Sequence, residues 1–262
     1  MGTSASQRSP STVKWERVRD LYRHPNPDPG QIAAGVVSAL EPETIRGMAG
    51  ASVCACLGSV LEASWRIHVQ GLARVLELLG ATPGPPAIQV ASGLRADAER
   101  RTVAAGAASR FGDLAVDAIG TLSLEIPSGN GAGPGVFQLP FPVVEAKWAQ
   151  YAGDRRYDAL ASRFMAHDLN HVMRYLVSRD LSEFIGTEAI PTVLVGTQLV
   201  ERVGHYCRDR ARGIKLGDFA EAVAKRLDAQ SPATPTVLAA ADVAALVDAG
   251  VSQGLQLLAG GG

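Results

Sequence analysis

The sequence predicts an α/β fold: a central mixed β-sheet, with an antiparallel hairpin carrying the candidate site, flanked by helices. Three observations predict it. An apolar run, Gly135-Val-Phe-Gln-Leu-Pro-Phe-Pro-Val-Val-Glu-Ala-Lys-Trp148, follows a glycine-rich turn at 128–135 and is short for a helix. On the other side of that turn, polar and apolar residues alternate from Thr121 to Ile126, the pattern of a half-buried strand. The order of segments (helical block, hairpin, helix, short strand, terminal helices) suits a sheet wrapped by helices.

Composition sets the limits. The chain has 262 residues and 47% hydrophobic content, enough for one sizeable core, so 13–262 is expected to be a single domain behind a disordered tail at 1–12. A net charge of −1 excludes a bulk polycation, and any nucleic-acid contact needs a local basic surface. The three cysteines, Cys54, Cys56 and Cys207, form no metal-ligand pattern and lie in contexts suited to buried thiols. No charged-then-apolar leader opens the chain, and no uninterrupted apolar run approaches about 20 residues. The expectation is a soluble cytoplasmic protein with no membrane partner.

Taken in order, a short helix spans Val13 to Tyr22 and stops at His24-Pro-Asn-Pro-Asp-Pro-Gly30, where alternate prolines make a stiff linker. Gln31 to Leu40 reads as a helix. Met48 to Leu79 is the longest helical signal, apolar on more than one face and ended by Gly80. Glu62 and His68 are its conspicuous polar residues. Together these elements make a helical N-terminal block over 13–80. The core that follows, about 87–215, begins with a short strand at Ala87 to Ala91 and a weak helix from Arg95 to Arg110. After the hairpin, a helix from Tyr157 to about Arg179 carries the stripe Met165, Leu169, Val172, Met173 and Leu176. Ile190 to Gly196 reads as a buried strand. Helices near 217–228 and 236–258 close the chain.

The chemistry comes from the hairpin. In a strand, residues two apart share a face, so Glu145 and Lys147 point to one side. Residues equidistant from the turn face one another; the midpoint of Asp117 and Glu145 is Gly131, and that of Asp113 and Glu145 is Gly129. Either aspartate therefore sets a second carboxylate beside Glu145. Two carboxylates so close need a cation, and a hard divalent ion such as Mg²⁺ takes one or two carboxylates plus phosphate oxygens. Lys147 beside that ion suits hydrolysis of a phosphodiester.

This pattern resembles the PD-(D/E)xK nuclease superfamily, with Asp117 (or Asp113), Glu145 and Lys147 at the matching positions. Val143-Val-Glu-Ala-Lys147 is similar to the Glu-Ala-Lys version in type II restriction endonucleases of the EcoRI kind, although the usual Pro-Asp is absent. The resemblance covers about 110–200. It implies a restriction-endonuclease-like sheet and Mg²⁺ held by Asp117, Glu145 and the backbone carbonyl of Ala146. It also implies cleavage of double-stranded DNA at a palindromic site by a homodimer. Basic candidates for contacting phosphates are Arg155 and Arg156 after Trp148, Arg163 and Arg174 on the next helix, and Arg208 and Arg210 in the cluster at 202–215.

Two other readings stand beside it. His167-Asp-Leu-Asn-His171 places two histidines at i, i+4 on a helix, the spacing of a zinc-dependent hydrolase, with Asp168 where such sites carry glutamate. A third ligand would come from Glu188, Glu201 or His205. The last reading is a non-catalytic helical interaction protein in which Glu145 and Lys147 merely pair.

Overall fold

The structure, a computed structural model, describes residues 10–129, 134–231 and 237–260. These residues form twelve α-helices and two short 3₁₀ helices with no β-strand among them, so the fold is all-α and the expected mixed sheet is corrected. The helices are α1 (Val13–Tyr22), α2 (Pro29–Ala39), α3 (Pro42–Met48), α4 (Ala51–Gln70), α5 (Leu72–Leu79) and α6 (Pro86–Ala104). They continue as α7 (Arg110–Ser128), α8 (Phe141–Gly153), α9 (Tyr157–Leu181), α10 (Val193–Ala211), α11 (Gly217–Asp228) and α12 (Ala240–Ala259).

The expected hairpin is two helices. Ser109 caps α7, its side chain accepting from the Gly112 amide, and the helix runs through the apparent strand at 121–126. Apolar residues at Leu114, Ala118, Leu122 and Ile126 recur every four positions and are all buried, so the two-residue alternation lies within a helical stripe. The apolar run after the turn forms a 3₁₀ helix, Pro134–Gln138, and then α8. Its prolines do not mark a strand edge. Pro142 sits in the first turn of α8, where a missing N–H costs nothing, and prolines open α2, α3 and α6 in the same way. The other two expected strands do not form either. Ala87 to Ala91 lies in α6, and Thr192 caps α10 by accepting from the Val195 amide.

One buried cluster runs from Trp15 to Leu258, so the block at 13–80 shares its core with the rest of the chain. At its centre is α4, in which every residue from Ser52 to Trp65 is buried, against α6, α7, α8, α9 and α12. The stretch Pro42–Gln70 is long and apolar enough to cross a membrane by length and composition, yet most of its apolar window is inside the molecule. Gly71, at φ 82°, separates α4 from α5, and Gly80 ends α5 in the left-handed conformation. The three cysteines are free and buried, and burial pushes the Cys54 thiol up to about 11 and those of Cys56 and Cys207 to about 12.

The second organising element is α9, packed between α7, α10, α11 and α12. Its crossing with α12 is close because Gly250 has no side chain: a Cβ there would lie 2.8 Å from Met165 Cγ. Gly250→Val should therefore cost about 1–3 kcal/mol by overpacking. Thermal unfolding would show it, and adding Met165→Ala should recover part of the loss. A Gly250→Val midpoint equal to that of the wild type would mean that Met165 moves aside freely.

Candidate functional site

The helical fold separates the residues that the hairpin geometry had joined. On a helix, residues two apart point about 200° away from each other. Glu145 accordingly turns towards α5, where its Oε2 accepts from the Leu72 amide at 3.1 Å and caps that helix. Lys147 turns the other way, into a cleft beside Arg156 and Arg163. Ala146 is exposed on α8. Asp117, on α7, accepts from Arg95 Nη2 at 2.9 Å, and Asp113 is exposed with Arg110 at 3.8 Å. The three carboxylates thus have separate partners, and no group of three or more His, Cys, Asp or Glu able to hold a metal ion occurs among the described residues. The midpoint argument placed the turn of the hairpin partly on Gly131, which lies outside the described residues.

No third ligand joins His167 and His171 among the described residues. His167 and His171 both face α7 but meet different partners. His167 Nε2 lies 2.9 Å from Glu125 Oε2, and His171 Nε2 lies 3.3 Å from Thr121 Oγ1. The hydrogen bond from His167, with Arg163 and Arg208 nearby, holds Glu125 below the usual carboxylate range against the opposing cost of burial. Burial lowers the His171 pKa, opposed by the charge of Asp117. Asp168 takes no part in this seam. It points into the core, fully buried, with no hydrogen-bond partner for either oxygen among the described residues.

At the open end of the α7–α9 seam lies a cleft with two adjoining lobes. The smaller, about 240 Å³, is bounded by the end of α7, by α8 and by the start of α9, with Lys147, Tyr151, Arg156 and Arg163 on its walls. The larger, about 750 Å³, lies between α9, the end of α10 and the turn into α11, and is lined by Arg163, His167, Arg208, Arg212 and Lys215. Gly129, Ala159 and Arg163 belong to both. Among the described residues, six Lys and Arg side chains therefore face one cleft with two carboxylates, Glu125 and Asp158.

These cations are only partly neutralised. Arg163 donates to the Tyr151 hydroxyl at 2.6 Å and lies 3.8 Å from Glu125 Oε1. Asp209 lies 3.7 Å from Arg208 and 3.6 Å from Arg212, and the buried Arg208 Nε has no hydrogen-bond partner among the described residues. Lys147, Arg156 and Lys215 have no side-chain partner among the described residues.

Of the basic residues expected to contact phosphates, Arg156, Arg163 and Arg208 meet at this cleft. The others are engaged elsewhere. Arg155 bridges Glu221 at 3.4 Å and Asp228 at 2.9 Å, Arg174 pairs with Glu201, and Arg210 donates to the Leu257 carbonyl at 3.3 Å. Sequence reasoning did not single out Glu125 and offered His167 as a metal ligand only in an alternative reading, because a pair 42 residues apart leaves no local spacing to read. No protein-family model matches the chain, and no curated protein or solved structure is detectably similar to it.

Proposed function

We propose that this protein binds phosphorylated ligands in the cleft between α7, α8, α9 and α10. One observation supports the reading above all others: six cationic side chains converge on a concave site that offers two carboxylates. Like charges gathered along a low-dielectric wall repel one another and focus their field into the opening, so an anion entering it relieves their repulsion. Guanidinium groups suit phosphate because their planar donors can meet two of its oxygens at once. The larger lobe falls within the 300–1,000 Å³ usual for small-molecule sites. Glu125 anchors His167 and faces Arg163, which keeps the floor of the cleft ordered.

The phosphodiester cleavage expected from the sequence rested on carboxylates facing one another across a hairpin. With that geometry gone, its basic side chains are what this reading retains.

Binding should raise thermal stability by mass action. Orthophosphate at 100 times its Kd would add about 2.7 kcal/mol, and the gain should shrink as ionic strength rises. Arg212→Ala combined with Lys215→Ala removes two exposed cations and should abolish most of the shift while leaving the ligand-free midpoint nearly unchanged. Equal shifts in the variant and the wild type would place the anion elsewhere, and no shift in either would overturn the reading.

A further inference from the structure

We infer that the ligand carries two phosphate groups, one seated in each lobe of the cleft, with its body crossing Ala159. This rests on the phosphate-binding reading and extends it. The two lobes meet along the first turns of α9, and each has cations of its own: Lys147 and Arg156 in the smaller, Arg208, Arg212 and Lys215 in the larger. Arg163 stands between them and reaches both. A monophosphate can satisfy one cluster only and leaves the other facing solvent.

The partition between the lobes is low. Besides Arg163, its shared members are Ala159, with the smallest side chain that has a Cβ, and Gly129, with none; a bulky residue at 159 would narrow the passage between the lobes. Ala159 and Arg163, one turn apart on the same face of α9, line both lobes, so the two clusters adjoin along that face. A body with a phosphate at each end can therefore reach both clusters at once. Once one phosphate is held, the second binds at a high effective concentration, so the two clusters act together rather than as independent sites.

Fructose 1,6-bisphosphate and fructose 6-phosphate are suitable probes, since they share a body and differ by one terminal phosphate. Calorimetric titration of the wild type should show the bisphosphate binding at least about tenfold tighter. Lys147→Ala and Lys215→Ala, both exposed side chains at opposite ends of the cleft, should each weaken the bisphosphate several-fold. The monophosphate should respond strongly to only one of them. Blocking the partition with Ala159→Leu should erase the advantage of the bisphosphate while monophosphate binding persists. Equal affinity for the two sugars, or bisphosphate binding that ignores one of the lysines, would overturn the two-phosphate proposal. So would failure of both sugars to bind while orthophosphate still stabilises the protein, an outcome that leaves the phosphate-binding reading standing. If orthophosphate also fails, both fall together.

Discussion

Replacing Glu62 by alanine should lower the unfolding free energy by about 3–5 kcal/mol, among the largest effects of any single substitution in this chain. Glu62 is 1% exposed, and its carboxylate is shared by three elements. Arg101 of α6 donates to both oxygens at 2.9 Å, Arg66 one turn along α4 donates at 3.2 Å, and the Leu238 amide ahead of α12 donates as well. Removing the carboxylate leaves a half-buried guanidinium with Asp97 as its remaining anion, and strands a buried amide. Glu62→Gln preserves the shape and one acceptor, so it should cost less than the alanine. Urea unfolding of the three proteins measures the difference. A Glu62→Ala variant within about 1 kcal/mol of the wild type would show that Arg101 finds full compensation in Asp97 and water.

That network also shows how much the sequence disclosed. Glu62 stands out in an apolar helix, a setting that favours a satisfied or surface carboxylate over a ligand. Its partners were not legible, because Arg101 and Leu238 lie 39 and 176 residues away. Several helix bounds were read closely: α1 spans the expected Val13–Tyr22, α9 begins at the expected Tyr157, and α11 covers the expected 217–228.

The errors share one cause. In a chain rich in alanine and glycine, buried helices are apolar on most sides, so the 3.6-residue rhythm fades and short apolar stretches pass for strands. Proline compounded this at 140–142, since the same residue that interrupts a strand also starts a helix. Once Phe141–Gly153 is helical, Glu145 and Lys147 cannot share a face, and the site inferred from their spacing dissolves. The cationic cleft was half-visible. Arg156, Arg163 and Arg208 were singled out for phosphate contact, but only the fold of α8, α9 and α10 brings them together with Lys147 and Lys215.

Asp168 provides the second large effect, and its sign follows from where it sits. It is enclosed within α9, faces the core near Cys56 of α4, and accepts no hydrogen bond among the described residues. Burial pushes its carboxyl up from 3.8 to about 8. A carboxyl raised in the folded state stabilises the fold fully below its ordinary pKa, and that contribution is lost as pH rises through the folded value. Between about pH 4 and pH 8 the unfolded chain therefore releases this proton first, and stability should fall with pH by up to about 1.4 kcal/mol per unit.

The substitution Asp168→Asn keeps nearly the same side-chain shape and leaves no proton to lose. The variant should match the wild type most closely near pH 4. It should then gain on the wild type as pH rises, reaching an advantage of about 6 kcal/mol by pH 9. The comparison cancels the groups common to both proteins, provided that they do not couple to residue 168. Urea unfolding of both proteins at pH 5, 7 and 9 gives the two slopes. Parallel curves would mean that water reaches the carboxylate and that Asp168 ionises in place. Diverging curves would identify a residue that the core tolerates only as a neutral acid, which makes this protein more stable in mildly acidic than in alkaline conditions.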